Sequence, residues 1–158
     1  MKRIFSLILC LLLVFCLAGC QKKESVQFYY LRSEVQYGLA DGVIASESRE
    51  ISLEGTSLEY LLKLYLEGPV SQELRSPFPA GTALVSLSRN DTQLTVTLSE
   101  VFSRLENVNY TVACACVAST GFSLTDAESV TILSGDTVIT LTRNNVSFWD
   151  ESGETFPE

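Results

Sequence analysis

The side chains able to do chemistry in this chain are thiols and carboxylates. Its 158 residues include five Cys, 19 Asp and Glu, and no His. Without an imidazole there is no Ser-His-Asp or Cys-His catalysis, no histidine proton shuttle and no histidine-containing zinc site. Paired carboxylates can cleave glycosidic bonds without histidine, and Glu59, Glu67, Glu100 and Glu106 are the acids to consider. Their spacing singles out no pair. No Gly-x-Ser-x-Gly elbow, phosphate-binding glycine loop or metal motif occurs. The chain is therefore expected not to be an enzyme, and to take no metal and no cofactor. Cys114 and Cys116 form a Cys-Ala-Cys run. On a helix, positions i and i+2 face different ways, and on a strand the closed loop would be very tight. They read as small, half-buried thiols in a helix of small residues, with an intermolecular or redox role as the alternative.

Cys20 differs from the other cysteines in what precedes it. Lys2 and Arg3 give a basic start, and Ile4 to Cys16 is almost wholly apolar. That run is shorter than the ~20 apolar residues of a membrane-spanning helix. It has the order of a secretory signal peptide. Leu17, Ala18, Gly19 and Cys20 then resemble the lipobox of bacterial lipoproteins: an aliphatic residue, two small ones, and a thiol. The resemblance implies cleavage after Gly19, so that residues 1–19 are a signal peptide. Cys20 is then the lipid attachment site, carrying a diacylglycerol thioether and fatty acid such as palmitate. An uncleaved apolar anchor is the alternative. Two acyl chains hold stably where one does not, at ~0.8 kcal/mol per buried CH2. Residues 20–25 are the lipidated cysteine and a polar tether. The expected location is the outer face of the cytoplasmic membrane, extracytoplasmic and lipid-anchored.

Cleavage removes Lys2 and Arg3 and no acid, so the net charge moves from −8 to −10. An acidic body stands off an anionic bilayer. It also lacks the clustered Lys and Arg that neutralise phosphates, so no nucleic-acid partner is expected.

The elements follow from periodicity. Val26 to Leu31 is aromatic and β-branched, a first strand. Val43–Ala45 and Arg49–Ile51 are short extended pieces of a hairpin arm. Thr56 or Ser57 caps a helix whose apolar face is Leu58, Leu61, Leu62, Tyr65 and Leu66. Gly68 and Pro69 end it. Leu84–Leu87 and Leu94–Leu98 flank a polar turn and form a hairpin. Ser99 caps the turn to Phe102, whose ring seals the base of the core. Tyr110, Ala113, Cys114 and Val117 predict a second helix over 109–120, stopped by Gly121. Val130–Leu133 and Val138–Leu141 form another hairpin. The expected fold is α+β: one small mixed sheet with two helices on one face, built on a strand-helix-strand-strand-helix-strand core. A single domain spans 26–146, and 147–158 is an acidic tail. Tyr29, Tyr30 and Tyr60 read as core or boundary aromatics.

Four pieces, in order, carry a resemblance to a known family. They are Leu61-Leu62 with Leu66-Glu67-Gly68-Pro69, then Pro79-Ala80-Gly81-Thr82, then Val96 to Phe102, then Leu124-Thr125 with Val130-Thr131-Ile132 and Gly135. Together these resemble the GerMN domain of sporulation and spore germination. Gly121 falls where helices of that family run on, and one copy is present. The resemblance implies a small module on an extracytoplasmic bacterial lipoprotein, with relatives in spore-envelope assembly and no catalytic activity or cofactor. The pieces themselves are residues that make a fold. The leading function is a protein-interaction or assembly module held at the membrane, with an envelope protein as partner. Sporulation or germination is the process that the resemblance implies. Arg89, Arg104 and the tail are contacts to consider. The alternative is a lipoprotein binding a small molecule or cell-wall ligand, which calls for a deep apolar pocket lined by Tyr or Trp.

Overall fold

The computed structural model describes residues 23–34 and 42–146. The expected signal peptide, the lipobox-like run of Leu17, Ala18, Gly19 and Cys20, and the tail 147–158 lie outside the described residues.

Strand β1 (Lys23–Arg32) alternates, with Val26, Phe28 and Tyr30 turned into the core. It pairs antiparallel with β2 (Ile44–Ser52), from Lys23 opposite Ser52 to Leu31 opposite Ile44. The two extended pieces of the arm are thus one strand, because the intervening Ser46 and Ser48 occupy its solvent face. Lys23, Glu24 and Ser25, which the sequence places in the tether, are the first residues of β1. A two-residue β3 (Leu74–Arg75) pairs with the end of β1.

Helix α1 (Leu58–Leu66) starts as expected: Ser57 Oγ accepts from the Tyr60 N–H at 3.1 Å. Thr56 instead donates its hydroxyl to Ser52 O. Leu61, Leu62 and Tyr65 are the buried stripe, and Lys63 pairs with Glu59 one turn away on the outside. Pro79 to Thr82 then turn the chain. The Thr82 N–H returns to Pro79 O at 3.1 Å, and Gly81 takes φ +89°, a left-handed conformation that favours glycine.

Four more strands follow: β4 (Leu84–Asn90), β5 (Gln93–Leu98), β6 (Ser129–Ser134) and β7 (Thr137–Thr142). They make a sheet of order β4-β5-β6-β7, with β5 and β6 parallel and both outer pairs antiparallel. The parallel pair requires a crossover, and α2 (Asn107–Leu124) supplies it. Both helices pack on the inner face, where Leu62, Tyr65 and Val117 meet Leu84, Val96 and Leu98.

The fold is α+β with two helices, and its strands divide into two sheets, β2-β1-β3 and β4-β5-β6-β7. Helix α2 separates them. Along the β1 edge that β3 leaves open, Thr120 Oγ1 accepts the Tyr29 N–H at 3.0 Å, Ser123 donates to Gln27 O, and Tyr65 donates to Tyr29 O. Helix side chains thus satisfy backbone groups that a neighbouring strand would otherwise take.

Helix α2 does not stop at Gly121. It runs to Leu124 because Gly121 serves packing rather than termination. A Cβ there would meet Leu94 and Val130, each at 3.1 Å, so its absence lets the helix close onto β5 and β6. Arg143 takes over the stop. It donates to Phe122 O, Thr125 O and Ala127 O at 2.9–3.1 Å, and lies 4.9 Å from the Phe122 ring centroid. A cation on the last carbonyls also suits the helix dipole. Phe102 is fully buried between Phe78 and Tyr110, as the seal expected of it. Ser99 does not cap that turn with its side chain. Its hydroxyl accepts the Ala83 N–H and bonds Gly81 O, tying β5 to the start of β4.

Candidate functional site

The residues singled out for chemistry are dispersed or shielded. Cys114 and Cys116 are fully buried in α2. Burial pushes the thiols up, to about 11 for Cys114 and about 12 for Cys116. Only the thiolate attacks, so neither is poised to react. Glu59 is engaged by Lys63 on α1. Glu67 is at the end of α1, whereas Glu100 and Glu106 lie in the connection to α2. Among the described residues no group of three or more His, Cys, Asp or Glu is placed to hold a metal ion. Among them, too, no helix is long and apolar enough to cross a membrane.

Arg89 pairs with Asp126 across the β4–β5 and α2–β6 turns. Arg104 is exposed in the 3-10 turn Phe102–Arg104. Tyr30 is core and Tyr29 boundary, but Tyr60 is exposed, on the solvent side of α1. An open groove of ≈ 320 Å³ runs between the end of α1 and Thr82–Leu84, lined by Lys63, Leu66 and Glu67 among others. It is shallow and has no aromatic lining, so it is not the deep pocket that a small-ligand reading calls for.

One polar cluster has no counterpart in the sequence reading. Arg49, on the core side of β2, donates to Glu47 Oε1 at 2.5 Å, to Gly68 O at 2.7 Å and to Tyr30 Oη at 3.3 Å. Its guanidinium lies over Phe28, 5.0 Å from the ring centroid. Glu47 Oε2 accepts the N–H groups of Val70 and Ser71. Both side chains are nearly buried, 13% exposed for Arg49 and 10% for Glu47. Burial alone would raise the Glu47 carboxyl. The Ser71 N–H and the Arg49 guanidinium outweigh it and hold the group below its usual value. The pair therefore clasps the β1–β2 arm to the loop after α1, through Gly68 O and the Val70 and Ser71 N–H groups. The only hint in the sequence is that a Glu and an Arg two residues apart share one face of a strand.

The surface with a distinctive character is the outer face of the β4–β7 sheet. Alternation sends Ser86, Ser88 and Asn90 of β4 outward, and Gln93, Thr95 and Thr97 of β5. From β6 come Ser129, Thr131 and Leu133, and from β7 Val138, Thr140 and Thr142. None of these 12 side chains is ionisable, in a chain of net charge −8. Their polar groups bond to one another: Gln93 donates to Thr131 Oγ1 at 3.0 Å, and the Thr131 and Thr140 hydroxyls are 2.8 Å apart. Such a face carries no charge to desolvate, and part of its polar side-chain hydrogen bonding is already satisfied within it. These are the properties of the centre of a protein interface, where charged residues are depleted.

Comparison with known proteins places this geometry. A family model, Germane (sporulation and spore germination), matches residues 27–140. That span contains all four sequence pieces and extends upstream through the β1–β2 arm. No curated protein matches the chain. Solved structures that share its fold include two from one protein. The tandem GerMN domains of the sporulation protein GerM from Bacillus subtilis align with TM-score 0.57 at 16% identity, over 76% of this chain and 43% of that one. The first GerMN domain of the same protein aligns with TM-score 0.54 at 16% identity, over 73% of this chain and 86% of that one. The chain thus spans less than half the length of the tandem-domain structure.

Proposed function

The chain belongs to the Germane family of sporulation and spore germination proteins, and from that premise we propose that it is a lipid-anchored envelope protein whose single domain works as a protein-interaction module. The observation that carries the interaction reading is the uncharged outer face of the β4–β7 sheet. A partner that covers that face has no charged side chain of this chain to desolvate there. Arg49 and Glu47 hold the β1–β2 arm to the loop after α1. The lipobox carries the anchoring reading: Cys20 takes the lipid, and β1 begins three residues later, at Lys23. The domain is then held close to the outer face of the cytoplasmic membrane. Sporulation or germination is the process proposed, through an envelope protein partner.

The test places a photo-crosslinking amino acid at Thr95, in the middle of the outer face, in the full chain expressed in its own cells while growing and while sporulating. A second position at Glu59, on the outside of α1, is the comparison. Capture of a defined envelope protein at Thr95 and not at Glu59 supports the reading. Equal capture at both positions, or none at Thr95, refutes the face as the working surface. Separately, Cys20→Ala is expected to abolish incorporation of a palmitate analogue and move the chain out of the membrane fraction. Unchanged labelling would sink the anchor.

A further inference from the structure

A sheet edge offers unpaired N–H and C=O groups to any strand that can reach them, and folded proteins usually guard such edges with charge, proline, a bulge or brevity. Among the described residues, such guards are visible on every edge but one. Strand β4 has a register shift between Leu84 and Ser86 and carries Arg89. Strand β2 carries Glu47, Arg49 and Glu50, and β3 is two residues long. Strand β7 reads Thr137-Val-Ile-Thr-Leu-Thr142, with no charge, no proline and an unbroken register against β6. Among the described residues nothing pairs with its other side.

We propose that β7 is a self-association edge, which pairs antiparallel with β7 of a second copy of this chain to join two four-stranded sheets into one of eight.

The register follows from the hairpin. The turn Gly135-Asp136 closes on Ser134 opposite Thr137, so in a two-residue hairpin these form the hydrogen-bonded pair. Alternation then directs the backbone groups of Thr137, Ile139 and Leu141 toward β6. Those of Val138, Thr140 and Thr142 face the open edge. A twofold axis at Thr140 sets Thr140 opposite Thr140 and Val138 opposite Thr142, which uses all the outward groups. It also sets the half-buried Ile139 and Leu141 of each copy against one another on the inner face. The edge is complementary to itself and brings no like charges together, although the chain as a whole carries −8.

The tail of this chain is a poorer occupant. After Val146 no uncharged run exceeds three residues, Ser147-Phe148-Trp149 and Thr155-Phe156-Pro157, and Asp150, Glu151, Glu154 and Glu158 interrupt or end them. It cannot supply six uncharged residues. A six-residue strand is about 20 Å long, so the pairing falls below the ~1,200 Å² of stable complexes. It is a weak contact, suited to molecules concentrated on a surface, and is best detected by trapping. This inference goes beyond the proposed function and rests on it only for the lipid anchor that holds the chain on the vesicles, which Cys20→Ala tests by itself; capture of an envelope protein at Thr95 does not depend on the pairing.

The test is Thr140→Cys in the full chain reconstituted in neutral phosphatidylcholine vesicles under mild oxidation. Opposed hydrogen-bonded residues lie about 5.5 Å apart at Cα, within disulfide range, whereas Cys114 and Cys116 are buried. The expected result is a disulfide-linked dimer forming at least tenfold faster than with Ser88→Cys on the opposite edge, and absent from the parent chain. Adding Val138→Lys to Thr140→Cys is expected to slow trapping at least tenfold, with unchanged circular dichroism. Trapping at equal rates at the two edges overturns the proposal. So does an absence of trapping while a maleimide reagent labels the introduced thiol of Thr140→Cys freely. A thiol in that variant that resists labelling until the chain is cut after Val146 also overturns it, and would give the edge to the tail.

Discussion

Arg49→Ala should cost this protein more stability than removal of any other single charge described above. The side chain makes three hydrogen bonds, to Glu47, Gly68 O and Tyr30, and covers the Phe28 ring. With both partners only 13% and 10% exposed, solvent screening removes little of the interaction. Breaking a buried pair from one side costs about 3–5 kcal/mol, because the other charge is left unpaired. Glu47 keeps the Val70 and Ser71 N–H donors, which lowers the expected loss to about 2–4 kcal/mol. With a urea slope of ~2 kcal/mol/M, the middle of the range for a small domain, the midpoint should fall by about 1–2 M. The assay is urea unfolding of the full chain at pH 7, followed by circular dichroism. Glu47→Ala and the double variant complete the cycle. The double variant should be less destabilised than the sum of the two singles, since it leaves no orphaned charge. A pH series adds the sign. Because the Glu47 carboxyl is held below its usual 4.5 in the folded state, its contribution is fully present above pH ~4.5. It is lost as pH falls through the depressed folded value. Arg49→Ala should shrink this acid-sensitive component, since the guanidinium is one of the groups holding the value down. A loss below about 0.5 kcal/mol for Arg49→Ala, or additive singles, would refute the clasp.

Three further outcomes are expected. Gly121→Ala gains ~1 kcal/mol of helix propensity but sets a methyl 3.1 Å from both Leu94 and Val130, an overpacking worth ~1–3 kcal/mol. Thermal melts should show net destabilisation, and Gly121→Val should be worse; a raised melting temperature for Gly121→Ala would show that the side chains give way. Arg143→Ala uncovers three carbonyls at the end of α2 and should cost about 1–3 kcal/mol, with faster amide exchange in the last turn of α2; unchanged exchange there would count against the cap. Cys114 and Cys116 should resist iodoacetamide at pH 8 in the native protein and react in 6 M guanidinium, because burial holds both thiols neutral; stoichiometric native labelling would contradict their burial.

Local rules were enough for α1 and for both hairpins of the β4–β7 sheet. Ser57, the Leu58–Leu66 stripe and Gly68-Pro69 specify α1 within one stretch of chain. The β4–β5 and β6–β7 hairpins need only alternation and a polar turn. The end of α2 was not legible, because what Gly121 does depends on Leu94 and Val130, residues 27 positions before and nine after it. The same holds for the division into two sheets, which rests on Thr120 and Ser123 reaching a strand more than 90 positions earlier.

The sequence by itself determined the lipobox-like Cys20 motif, the absence of histidine chemistry, the α+β class and the family pieces. These are short-range or compositional properties, readable without knowing which segments meet. Only the tertiary structure decided that Arg49 and Glu47 bind the loop after α1, that the 12 uncharged side chains form one outer face, and that β7 alone has an unguarded edge among the described residues. Each depends on strand order and register. The parallel pairing of β5 with β6 brings together residues about 36 positions apart through α2, and periodicity along the chain carries no record of which strands become neighbours.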